Sequence, residues 1–158
     1  MKLRKWIALW SLSLSALTAH AEGEFLPANI LLLDAKFSHH VLLVEKQSHQ
    51  LHLFTNRDGM PHLVKTYSIA TGKFKGNKAT EGDHKTPEGV YDIYEFLSKD
   101  QLVSKFGSQQ SKIYGCGAFP MNYPNFMDQR ENRKGSGIWL HSTDDDNRIS
   151  KELDSRGC

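Results

Sequence analysis

Apolar and polar positions alternate along this chain in short runs that break at glycine, aspartate and asparagine. His40-Val41-Leu42-Leu43-Val44 and Gln50-Leu51-His52-Leu53-Phe54 are β-rich runs separated by Lys46 to His49, the pattern of a hairpin. Asn56-Arg57-Asp58-Gly59 marks a second turn, in which Asp-Gly supplies the positive φ. His62 to Ala70 predicts a third strand, with Leu63, Lys65, Tyr67 and Ile69 on one face and Val64, Thr66 and Ser68 on the other. Val90 to Leu97 alternates again and predicts a fourth. Ser98-Lys99-Asp100-Gln101 has the spacing of a capping box, and Leu102, Val103 and Phe106 give the following helix an apolar side as far as Gly107. Ile138-Trp139-Leu140 reads as a short buried strand with His141 at its end. An acidic turn, Asp144 to Asp146, leads into Asn147 to Asp154, long enough for two helical turns. Either Asp146 or Asn147 caps them, and Ile149 and Leu153 share the inner face.

Between these runs the pattern is weaker. Ile30-Leu31-Leu32-Leu33 is a strand or a short helix, and periodicity does not decide between them at this length. Thr71 to Gly89 reads as a loop, closing on Thr86-Pro87-Glu88-Gly89 as a type I turn. Its basic residues lie beside glycines but match no phosphate-binding spacing. Residues 108–136 form a long irregular region whose Tyr114, Phe119, Tyr123 and Phe126 either cover a site as a lid or form the apolar cluster of a surface excursion. Short strands with closely spaced turns predict a mostly β (α+β) architecture with small helices, without internal repeat or second domain.

Composition changes this picture mainly at the N-terminus. Lys2, Arg4 and Lys5, the apolar run Trp6 to Ala19 and the small-x-small site Ala19-His20-Ala21 read as a signal peptide over residues 1–21, removed on export. After cleavage no membrane span is expected, and residues 22–38 lead into a single domain over 39–158. Three of the 20 Lys and Arg leave with that segment, so the formal charge of +2 falls to near balance with the 18 acidic residues. No basic stripe interleaved with aromatics points to nucleic acid. His39, His40, His49, His52 and His62, with Asp144 to Asp146, form the candidate metal set, but they lack zinc-site spacing and read as solvated strand-edge residues.

The remaining chemistry lies in two cysteines and one histidine. In an oxidising compartment Cys116 and Cys158 form a disulfide, or one of them is a reactive thiol. Cys158 follows Ser155-Arg156-Gly157, and His141 waits at a strand end upstream, which is how a thiol nucleophile and its base are supplied from separate places in a sequence. A thiol attacks only as thiolate, so it needs a basic or positive neighbour; His141 and Arg156 are the candidates. Backbone N–H groups around Gly157 and Cys158 are candidates to hold an oxyanion, the glycine permitting the tight turn. Cys116, in Tyr114-Gly115-Cys116-Gly117, reads as a small buried or loop residue.

His141, the spacer 142–154 and Ser155-Arg156-Gly157-Cys158, together with the Gly-Lys…Gly-Asp…Thr-Pro-x-Gly pattern of Gly72 to Gly89, resemble the L,D-transpeptidases of the bacterial cell wall, the YkuD-type catalytic domain. The resemblance covers residues 39–158. Arg156 stands where the family signature has a second histidine, a variation associated with the branch that trims or detaches wall peptides. The family continues past its cysteine into further strand, so C-terminal strands are expected to be missing from this chain, with low activity in consequence. The resemblance implies a β-sandwich with Cys158 as nucleophile, His141 as base, Ser142 orienting the histidine through its carbonyl, and Arg156 and Gly157 completing the site. Tyr123, Ser155 and Thr143 would contact substrate. Cys158 would attack the bond between the diamino acid and D-Ala in a wall tetrapeptide, releasing D-Ala and leaving a thioester. An amine acceptor then gives a 3→3 cross-link and water gives an L,D-carboxypeptidase; a lipoprotein joined to the diamino acid would be detached. No cofactor or metal is implied, the partners are peptidoglycan stem peptides, and the location is the periplasm or cell envelope. The alternative is a wall-binding domain without catalysis.

Overall fold

The computed structural model describes residues 30, 34, 36, 38–144 and 155–157. The signal segment, the expected helix at 147–154, most of Ile30 to Leu33, and Cys158 lie outside the described residues. The first three strands form an antiparallel meander, β1 (His40–Glu45), β2 (Gln50–Arg57) and β3 (Met60–Ser68), with β2 in the centre. Both hairpins turn where the polar breaks fall. His49 takes φ 53 in the first, and Asp58 and Gly59 take φ 54 and 85 in the second, the left-handed pair that suits a tight hairpin.

β2 is buried on both faces. Leu51 faces one side, while His52 and Phe54 share the other, their rings 6.4 Å apart. The ladder slips register between Leu53 and Phe54, a bulge that lets β3 follow the twist of β2. His52 corrects the solvated-edge reading: it is only 6% exposed, and its Nδ1 lies 2.8 Å from Thr66 Oγ1 on β3. Central-strand position buries it, which alternation alone does not reveal.

A second antiparallel sheet has the order β4 (Leu97–Ser98), β5 (Gly117–Pro120), β6 (Trp139–His141). Its core is Leu97, Leu102 and Ala118, with Phe106, Tyr114 and Trp139 packed against them. Helix α1 (Lys99–Gln110) supplies the fully buried Leu102 to that core. Ser98 caps it as a full capping box: its Oγ accepts from Gln101 N, and Gln101 Oε1 accepts from Ser98 N at 2.8 Å. The helix breaks at Gly107, φ 82, where the apolar pattern stops. Ser98→Ala removes that cap and is expected to cost about 1 kcal/mol, read as a lower urea midpoint.

Two expectations fail here. The strand expected at 90–97 is reduced to an isolated Ile93–Met121 bridge and the two residues of β4. Between that bridge and the Leu97–Ala118 pair the register slips by one residue, so no continuous ladder forms. Nor is 108–136 irregular throughout. It holds a 3₁₀ turn at Ser111–Tyr114, then β5, and then helix α2 (Phe126–Arg130) capped by Asn125. β5 is the central strand of its sheet, and Ala118 is fully buried. Among the described residues no helix is long and apolar enough to cross a membrane.

Candidate active site

β5 pairs with β6 so that Ala118 lies opposite His141, which puts the histidine at the last ladder position of the second sheet. The imidazole stands edge-on to the Tyr114 ring at 5.1 Å and 75°. Its Nδ1 lies 2.6 Å from the Ser142 carbonyl oxygen. A carbonyl only accepts, so Nδ1 is the protonated nitrogen and the neutral ring keeps its basic lone pair on Nε2.

Ser142 is itself clamped. Its Oγ donates to the Tyr114 carbonyl at 3.1 Å and accepts from Cys116 N–H at 2.9 Å, with the Cys116 thiol 3.1 Å away. The clamp needs Gly115, which sits at φ 56: a Cβ there would come within 2.9 Å of Thr143 N and closer still to Ser142 Oγ. Cys116 is exposed and carries a free thiol in the turn before β5, so of the two expectations for it, buried or loop residue, the loop one holds.

The second group of candidate residues gathers around Gly72. Ser155 is 5% exposed and forms a parallel bridge with Gly72: its N–H donates to the Thr71 carbonyl at 3.1 Å, and Lys73 N–H donates to its carbonyl at 3.2 Å. On the other side of Gly72, its N–H donates to Thr86 Oγ1 at 2.8 Å, and Phe74 N–H donates to the His84 carbonyl at 3.3 Å. Gly72 is therefore sandwiched, and a Cβ would fall 2.7 Å from Thr86 N. Gly157 is held just as closely, with φ 116 and the Lys85 carbonyl 2.8 Å from where its Cβ would be. Ser155 Oγ accepts the Gly157 N–H at 3.0 Å. That bond engages the N–H considered for the oxyanion, and leaves Gly157 the task of close approach. Arg156 is exposed between these two buried residues, and Cys158 follows Gly157 in the chain.

The backing of this turn is a buried ion pair that sequence reading missed. Lys78, 3% exposed, donates to Asp83 Oδ1 at 2.8 Å. Asp83 also accepts the N–H groups of Ala79, Thr80 and Lys85. Burial alone pushes this carboxyl up, but the hydrogen bonds from Lys78 and the three backbone donors outweigh it and hold the group well below the usual carboxylate range.

The structure thus gathers His141, Ser142 and Thr143 around Tyr114 and Cys116, and Ser155 and Gly157 around Gly72 and Lys85. Tyr123 falls in neither group. It is 6% exposed, edge-on to Tyr91, and its hydroxyl donates to the Lys134 carbonyl at 3.3 Å. Tyr91 in turn reaches the buried Asp128 at 3.3 Å; burial, reinforced by that carboxylate, pushes its phenol up. Among the described residues no cluster of His, Cys, Asp and Glu is grouped to hold a metal.

The L,D-transpeptidase catalytic domain model (YkuD) matches residues 39–158, and the chain belongs to that family. No curated protein sequence matches the chain. Among solved structures it is similar to Bd1075 of Bdellovibrio bacteriovorus, with 36% identity and TM-score 0.56, covering 81% of this chain and 40% of that one. It is also similar to the helical cell shape determining protein Pgp2 of Campylobacter jejuni, with 28% identity and TM-score 0.60, covering 75% of this chain and 38% of that one. The chain spans less than half the length of either neighbour.

Proposed function

We propose that this domain is a cysteine acyltransferase of the exported cell-wall machinery, acting on the diamino-acid–D-Ala bond of wall tetrapeptides. Cys158 supplies the nucleophilic thiol, and His141 Nε2 takes its proton. The thiolate attacks the carbonyl, the C–N bond breaks, and the histidine returns the proton to the D-Ala amine as it leaves. The thioester that remains is opened by water, which completes an L,D-carboxypeptidase cycle, or by a stem-peptide amine, which makes a cross-link. Where the diamino acid is joined to a lipoprotein in place of D-Ala, the same first step expels the lipoprotein amine and leaves the diamino acid on Cys158 as the thioester. Arg156 places a positive charge beside the thiolate, and the Cys158 N–H is the donor for the oxyanion. Thr143, Ser155 and Tyr123 shape the surroundings: Ser155 from the turn itself, Thr143 from beside the base, and Tyr123 by packing behind Gly135.

The observation that carries this reading is the 2.6 Å contact between His141 Nδ1 and the Ser142 carbonyl oxygen. A strand-end histidine held through Nδ1 by the carbonyl of its own neighbour presents Nε2 as the basic nitrogen, which a thiol nucleophile requires and a merely structural histidine does not. The signal-like N-terminus supports action outside the cytoplasmic membrane, where wall peptides are found. Release of D-Ala from purified wall tetrapeptides, followed by mass spectrometry, tests the proposal. Tetrapeptide converted to tripeptide or to a 3→3 dimer is expected, and intact tetrapeptide after prolonged incubation with well-folded protein would count decisively against it.

A further inference from the structure

His84 sits at φ 56, a left-handed conformation that a side chain enters at a cost of about 1–2 kcal/mol and that glycine occupies freely. The same loop does use glycine at its other left-handed positions, Gly76 at φ 90 and Gly82 at φ 75. Unlike His49 and Asp58, His84 does not close a hairpin between two paired strands. Its imidazole is half-buried, and its ring partner is Phe74, 6.2 Å away and itself 59% exposed. The side chain therefore does little for the core, although the backbone tolerates strain to keep it. Strain of this kind gathers at sites of function.

Its location is specific. The His84 carbonyl accepts from Phe74 N–H, and the next residue, Lys85, presses its carbonyl on Gly157 directly before Cys158. The exposed charges around the pair are mainly positive. Lys73, Lys75 and Arg156 face solvent, Glu88 is paired with Lys46 at 2.8 Å, and Asp83 is taken up by Lys78, leaving Glu81 as the exposed acid of this loop.

We propose that His84 and Phe74 form a donor-peptide subsite beside the Gly157 turn, in which the imidazole hydrogen-bonds a free carboxylate of the peptide and the phenyl ring covers the aliphatic stem that carries it. This deepens the acyl-transfer reading and rests on it for the identity of the peptide. His84 and Phe74 act as specificity-determining residues; the proton transfers stay with His141.

The test separates binding from chemistry. Binding of wall tetrapeptide is measured by calorimetry on the Cys158→Ala protein, which does not turn over, and then with His84→Asn or Phe74→Ala added. Asparagine tolerates the left-handed backbone, and Phe74 is at the surface, so both variants keep the fold, checked by thermal melting. Each change is expected to weaken binding of the free-carboxylate peptide about tenfold or more, the scale of a charge-assisted hydrogen bond. Amidation of the diamino acid carboxylate should produce a similar loss in the parent protein and no further loss in His84→Asn. Alkylation of Cys158 by iodoacetamide, followed by peptide mapping, should keep its rate in His84→Asn. Unchanged affinity in both variants overturns the subsite, as does equal loss for free and amidated peptides, or a slowed alkylation that would make His84 part of the thiol's own activation. If peptide binding depends on His84 while D-Ala is never released by the unsubstituted protein, the subsite stands and the acyl-transfer reading falls.

Discussion

Cys158→Ala is expected to abolish the covalent adduct that a carbapenem forms with this protein, read as a mass increase of the intact chain, whereas Cys116→Ala leaves the adduct in place. Both thiols have a claim that chemistry has to separate. Cys116 is exposed and lies 3.1 Å from Ser142 Oγ, next to the proposed base. Yet its N–H and thiol are both turned to that hydroxyl. Cys158 follows a turn whose two buried residues are fixed by Gly72 and Lys85, the kind of support that holds a nucleophile in attack geometry. His141→Ala should slow adduct formation by about 10²- to 10⁴-fold, the usual contribution of a general base. His40→Ala, an exposed position on β1, should leave the rate within a few-fold. An adduct that survives Cys158→Ala would move the nucleophile to Cys116 and undo the assignment.

How much of this was legible follows from what each element depends on. β1 to β3 were readable because alternation and an Asp-Gly turn are local signals, and Ser98 with Gln101 announced α1 for the same reason. β5 was not. Gly117-Ala118-Phe119-Pro120 contains the two residues most often taken as strand breakers, and it becomes the middle of a sheet only because β4 and β6 flank it. The reverse error occurred at 90–97, where good alternation lost to a register slip set by β5. In the site, His141 and the Ser155-Arg156-Gly157-Cys158 signature were visible as a strand end and a motif. The packing that supports them was not, since Gly72, Lys85 and Gly157 touch through backbone atoms far apart in sequence. Backbone contacts of that kind leave only glycine as their trace, and a loop has many reasons to contain glycine.

Asp83→Ala is expected to be the most damaging change away from the chemistry. It leaves the Lys78 ammonium, 4% exposed as a side chain, buried without its carboxylate, and takes the acceptor from three backbone N–H groups at once. Breaking a buried pair from one side costs about 3–5 kcal/mol, against a typical total stability of about 5–15 kcal/mol. Urea denaturation at neutral pH should therefore show a much lower midpoint or an unfolded protein at low denaturant. The pH dependence has a definite sign. The folded carboxyl titrates below its unfolded value of about 3.9, so its contribution is complete above that pH and fades as the pH falls through and beneath it. The gap between the parent protein and Asp83→Ala should accordingly narrow below about pH 4. Function should follow, because Asp83 fixes Lys85 N–H and the Lys85 carbonyl backs Gly157. A displacement of about 1 Å at that turn can slow acylation on the order of 10²-fold, so molecules that remain folded should still form adduct slowly. A variant of parental stability, a gap that does not change with pH, or full acylation by the folded fraction would each show that the Lys78–Asp83 latch does not support the turn before Cys158.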